Sequence, residues 1–181
     1  MLADFISSKT RVKLLLKFFL NTSTTSYLRG LADEFDESTN AVRLELNRLE
    51  QAGMLTSRNS GNKKLYQANK TYPLFGEIQN IVRKHLGIDQ IIENIVERLG
   101  DLEMAFLTGP FSAGIDAPII DLILVGKIRV EYLTELISKA ETLVGRKIRY
   151  IHYASDQWDE SNMGDFTYRP MVIWDKSMIE A

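Results

Sequence analysis

From Lys9 to Leu20 the apolar side chains Val12, Leu15, Leu16 and Phe19 recur at i, i+3, i+4 and i+7, which sets them on one stripe of a helix. Leu14 and Phe18 widen the stripe. The polar run Asn21 to Ser26 breaks it and offers hydroxyls to cap a second helix over about 27–35, with Leu28, Leu31, Ala32 and Phe35 facing inward. Asp36-Glu37-Ser38 predicts a short turn. Ser38 or Thr39 then caps a third helix that runs to about Ala52, with Val42, Leu46 and Leu49 inward and Gly53 as its stop. Beyond Gly53 the spacing changes. Residues 54–58 and 64–68 read as extended segments around Asn59-Ser60-Gly61-Asn62, a hairpin with a basic tip.

Two more amphipathic stripes follow. Leu74, Phe75, Ile78, Ile81, Val82, His85 and Leu86 form the first; Ile88, Ile91, Ile92, Ile95, Val96 and Leu99 form the second, with Gly87 between them and Gly100 after. His85 lies on an apolar stripe with no second histidine near it, which predicts a packed side chain without chemistry. Residues 103–107, 119–125, 147–153 and 171–174 read as strands, with a helix over 130–144 before the third. That order predicts a small α/β domain. The expected fold class is therefore α+β: a helix-turn-helix with a wing over 1–70, connecting helices over 71–100, and an α/β domain over 101–181.

Composition excludes several classes. With 45% hydrophobic and 25% charged residues the chain is ordinary globular material. Lys13 and Lys17 interrupt the most apolar early stretch, so no run reaches the roughly 18 residues that cross a bilayer, and no signal peptide is expected. With no cysteine, disulfides, thiolate metal sites and cysteine nucleophiles are excluded, and a reducing cytoplasm is the expected compartment. Neither a metal nor a cofactor is expected. The net charge of −2 conceals an asymmetry: up to Lys70 there are 11 Lys and Arg against 7 Asp and Glu, and beyond it 11 against 17. The basic half suits a polyanion and the acidic half does not.

Helical geometry turns the outward face of the third helix into a candidate reading surface. With Val42, Leu46 and Leu49 inward, Thr39, Asn40, Arg43, Leu44 and Asn47 point to solvent or to a ligand. Arginine can donate two hydrogen bonds to guanine, asparagine can pair with adenine, and a leucine can touch a thymine methyl. Arg58, Lys63 and Lys64 at the hairpin would lie near phosphates, and Ser38 with Thr39 could bond a phosphate at the helix start. Glu45 and the acids Asp33, Glu34, Asp36 and Glu37 must then point away from the DNA. The run from Leu31-Ala32 through Ser38-Thr39-Asn40-Ala41-Val42 to Leu46-Asn47-Arg48-Leu49-Glu50-Gln51-Ala52-Gly53-Met54-Leu55 resembles bacterial winged-helix regulators of the ArsR and MarR type. The resemblance implies that the third helix enters the major groove of double-stranded DNA.

In the second half, Ala105-Phe106-Leu107-Thr108-Gly109-Pro110-Phe111-Ser112-Ala113-Gly114 and Ile119-Ile120-Asp121-Leu122-Ile123-Leu124-Val125-Gly126 resemble the minimal nucleotidyltransferase domain. Tyr66-Gln67-Ala68-Asn69, Pro73 to Ile78, Lys84 and Gly87 are similar to a subfamily in which that domain follows a winged helix. Active members carry Gly-Ser on a turn, an Asp-x-Asp pair and a later third carboxylate, which together hold two metal ions and a triphosphate. Here Pro110 follows Gly109, Ile119 takes the first Asp place, and 149–153 offers no carboxylate. The expectation is that no catalytic residue remains, that Asp121 is a solvated or hydrogen-bonded strand-end aspartate, and that the chain is not an enzyme.

The resulting reading is a cytoplasmic, homodimeric transcriptional regulator that binds double-stranded DNA, with an inactive nucleotidyltransferase-like domain for assembly or for sensing an unknown small ligand or protein. The dimer rests on the family resemblance and on surplus apolar surface at Phe5, Ile6 and the 74–86 helix. Two rivals stay open: an active nucleotidyltransferase acting on a small molecule, nucleic acid or protein, and a winged-helix adaptor that binds only proteins.

Overall fold

The computed structural model describes residues 6–99 and 101–178, so Phe5 and Gly100 lie outside the described residues. The chain divides into two compact units, Met1–His85 and Leu86–Ala181. Its class is α+β: a winged helix-turn-helix followed by a small α/β unit built on a mixed sheet.

In the first unit, α1 (Lys9–Leu20) starts at Ser8, whose hydroxyl accepts the Arg11 N–H at 3.2 Å and satisfies a donor that the first turn leaves open. Leu14, Leu16, Phe18 and Phe19 are almost fully buried along it. Strand β1 (Thr25–Tyr27) follows, where the sequence suggested only capping hydroxyls; its pairing with β3 is what makes these residues extended. Helix α2 (Leu28–Phe35) ends at Asp36, which adopts the left-handed region at φ 52°, a conformation aspartate tolerates better than branched residues do. Helix α3 (Thr39–Gln51) is capped by Ser38, which accepts the Ala41 N–H at 3.1 Å. The hairpin β2 (Leu55–Ser60) and β3 (Lys63–Ala68) pairs in register from Leu55 opposite Ala68 to Ser60 opposite Lys63. Its loop is thus two residues, Gly61-Asn62, and Gly61 takes a positive φ there, as tight hairpin turns require. The sheet order is β1-β3-β2. Helix α4 (Phe75–Leu86) follows, and the rings of Phe75 and Phe19 lie 5.6 Å apart. Leu74 and Ile81 stay about half exposed, and Ile6 is partly buried.

The second unit opens with a helix over Ile88–Ile91 that widens into a π-helical turn at Ile92–Val96 and closes over Glu97–Leu99. Strand β4 (Leu102–Thr108), the single helical turn α5 (Gly109–Ser112), β5 (Ile119–Gly126), α6 (Val130–Val144), β6 (Lys147–Tyr153) and β7 (Met171–Asp175) complete it. The sheet order is β6-β5-β4-β7; β5 and β6 run parallel across the α6 crossover, and the other pairs are antiparallel. Alternation sends Ala105, Leu107, Ile120, Leu122, Leu124 and Ile148 to one face, all buried. Helix α6 and the Ile92–Val96 turn pack together and touch edge strands β6 and β7. The opposite face carries Phe106, Ile123 and Val125, covered by Met104, Tyr153, Trp158, Met163 and Phe166. Trp158 fixes this cover, its ring 4.9 Å from that of Phe106 and 5.1 Å from that of Tyr153. No helix among the described residues is long and apolar enough to cross a membrane.

Candidate nucleic-acid interface

Helix α3 separates its residues cleanly. Val42, Leu46 and Leu49 are buried, while Thr39, Asn40, Arg43, Leu44 and Asn47 are exposed, Leu44 by 52%. Ser38 is exposed too, but its hydroxyl serves the helix cap. The hairpin residues Arg58, Lys63 and Lys64 are all exposed.

Several acids around this surface are engaged, while Asp33 and Asp36 stay exposed. Glu45 is only 5% exposed. Its carboxylate accepts from Arg11 Nε at 2.8 Å and from Arg48 Nη1 at 2.9 Å, which ties α3 to α1. Burial alone would raise its pKa, but hydrogen bonds from Arg11 and Ser8 and the charges of Arg11 and Arg48 outweigh that and hold it below the ordinary carboxyl value. Lys17 reaches Glu34 at 2.7 Å, and Lys13 reaches Glu37 at 2.9 Å and the Phe35 carbonyl at 2.8 Å. The contacts from Arg11, Lys13 and Lys17 all come from α1. The sequence had required Glu45 to face away from the DNA without supplying its partner; the visible hint was its place between Val42 and Leu46 on the inner stripe.

The hairpin lysines are not equivalent. Lys64 Nζ bonds Glu50 at 2.7 Å, and Glu50 also accepts from Ser57, so α3, β2 and β3 are clamped together. The hydrogen bonds from Lys64 and then from Ser57 lower the Glu50 pKa, and the same contact raises that of Lys64. Lys63 lies over the Tyr27 ring with Nζ 4.0 Å from its centroid, and Lys64 sits 5.1 Å from that of Tyr66. Arg43 and Arg58 pair with no carboxylate among the described residues.

In the second unit Thr108, Asp121 and Arg149 are neighbours on three adjoining strands. Asp121 accepts from Arg149 Nε at 2.7 Å and from Nη2 at 3.1 Å. Gly109 is required here twice: its φ is +66°, and a Cβ on it would lie 2.5 Å from Asp121 Oδ2. Among the described residues no group of three or more His, Asp or Glu is placed to hold a metal. His152 Nε2 lies 2.7 Å from the Gly126 carbonyl.

No family model and no curated protein matches the chain. Among solved structures it is similar to a complex of a tri-AMPylated Shewanella oneidensis HEPN toxin with an MNT antitoxin (13% identity, 54% of this chain and 76% of that one, TM-score 0.39). It is also similar to a candidate nucleotidyltransferase from Sulfolobus solfataricus (17%, 55% and 87%, TM-score 0.37). A third is a candidate transcriptional regulator for arsenical resistance (22%, 50% and 90%, TM-score 0.32). Likenesses this distant leave function to the site geometry. The expectation that the chain is not an enzyme is withdrawn: the similar structures include an MNT antitoxin complex and a candidate nucleotidyltransferase. Physically, counting carboxylates along one strand pair does not exhaust the groups a fold can bring to a cleft, and Asp121 stands in one.

Proposed function

We propose that the chain is a transcriptional regulator that binds double-stranded DNA sequence-specifically through α3 and the β2–β3 wing. One observation carries the reading. Both acids of α3 are engaged, Glu45 with Arg11 and Arg48 and Glu50 with Lys64 and Ser57, so the outward face of the helix presents Thr39, Asn40, Arg43, Leu44 and Asn47 without a free carboxylate. A polyanion meets no opposing charge on that face, and the side chains on it are of the kinds that read base edges. Arg43 is assigned to a guanine, Asn40 and Asn47 to base edges, and Leu44 to a thymine methyl. Arg58 and Lys63 are assigned to phosphates, with Lys64 held back by Glu50. A homodimer would read two half-sites about 34 Å apart. The nucleotidyltransferase-like unit is assigned to assembly or sensing, and the cytoplasm is its proposed place of work.

Selection of bound duplexes from a random pool tests this. A recovered motif with twofold symmetry supports the reading; a pool that stays random, with binding only to proteins, contradicts it.

A further inference from the structure

The segment that covers the second sheet face seals it over Phe106, Ile123 and Val125, and stops short of the end where Thr108, Asp121 and Arg149 lie side by side. A cavity of about 500 Å³ remains there, floored by those three residues and walled by Phe166, Thr167 and Tyr168. Thr108 Oγ1 reaches the Tyr168 carbonyl at 3.5 Å, which links floor to wall. The size suits a small organic ligand.

Charge decides what kind. Arg149 spends Nε and one N–H of Nη2 on Asp121, and the two N–H groups of Nη1 have no partner among the described residues. The Asp121 side chain is 16% exposed and that of Arg149 68%, so the carboxylate anchors the guanidinium while its far edge stays open. A second carboxylate can dock on that edge, because a guanidinium offers five donors in a fixed fork. The Asp121 charge cancels that of Arg149, and among the described residues no acidic or imidazole cluster is placed to recruit a metal. A polyphosphate would therefore meet Asp121 with nothing to offset its charge, whereas a monoanion adds one charge beside one guanidinium. The aromatic residues Phe166 and Tyr168 of the covering segment favour a flat ring.

We propose that this cleft binds an aromatic carboxylate, with the carboxylate on the open edge of Arg149 and the ring beside Phe166 and Tyr168. The inference stands apart from the DNA-binding reading, since it needs only the second unit's own cleft.

Calorimetric titration of the full chain tests it, with naphthalene-2-carboxylate, its carboxamide, and ATP with magnesium as probes. The carboxylate is expected to bind at least about tenfold more tightly than the carboxamide, with no change on adding a chelator. Arg149→Gln is expected to bring the two to near equality, and Phe166→Ala to weaken both. Equal affinity for carboxylate and carboxamide in the unaltered protein overturns the proposal whatever the variants do. So does a lack of binding at about 1 mM, a preference that survives Arg149→Gln, or tighter binding of ATP with magnesium.

Discussion

Each unit contains an arginine–carboxylate contact between neighbouring elements, and the two are built in opposite senses. In the winged helix, Glu45 is buried between Arg11 and Arg48, so one carboxylate faces two guanidinium groups and the surplus is positive. In the α/β unit, Asp121 faces Arg149 alone and the charges cancel at the floor of an open cleft. The first arrangement consumes the acid and leaves cations outside. The second leaves a neutral pair with a free donor edge. The same chemistry thus prepares one surface for a polyanion and the other for a small single charge, and the number of guanidinium groups on the carboxylate is what separates them.

The largest effect expected is on the Glu45 clamp. Glu45→Ala leaves Arg11 and Arg48 without their shared acceptor, and because both can turn to water the loss should be about 1 to 3 kcal/mol, below that of a fully buried pair. Denaturant melts that follow the first unit check this, and an unchanged midpoint would reduce the clamp to a surface contact. Arg43→Ala should leave the fold intact and cost about 1 to 3 kcal/mol of binding at one base position in each half-site. A loss spread evenly over all sequences would move Arg43 from base to backbone.

Acid tests the first unit next. The folded-state pKa values of Glu45 and Glu50 are both depressed from 4.5, so the stability they contribute is present above that value and is lost as pH falls through the lower, folded-state values. The first unit should therefore weaken progressively below pH 4.5, and melts that improve on acidification would reverse the sign of the argument. The smallest effect concerns the wing. Lys63→Ala should flatten the salt dependence of DNA binding by about 0.9 in the log–log slope, and Lys64→Ala by less, since Glu50 already holds that ammonium. Equal slopes for the two variants would remove the distinction drawn from the Glu50 clamp.

What the sequence disclosed divides along the same physical line. Helices with an uninterrupted stripe were legible to the residue, Lys9–Leu20 and Val130–Val144 among them, because their apolar spacing repeats every three to four residues along the whole length. Strand Thr25–Tyr27 was not, since its polar residues become extended only through β3, about forty positions away. The π-turn at Ile92–Val96 hides within the periodic stripe of Ile88, Ile91, Ile92, Ile95 and Val96. The cover formed by Trp158, Met163 and Phe166 has no period to reveal it. On α3, the outward residues followed from the inward ones. The partners of Glu45 and Asp121 did not: Arg11 and Arg149 reach them only through helix packing and parallel register, and neither is written in local spacing. The cleft beside Asp121 was invisible for the same reason.

The central claim, that α3 and the wing read DNA sequence, is tested most directly by measuring affinity for a selected duplex against a scrambled duplex of equal length over a range of salt concentrations. The account predicts a ratio of about a thousandfold or more at physiological salt, with affinity for both duplexes falling as salt rises. Equal affinity for the two duplexes at every salt concentration would contradict it.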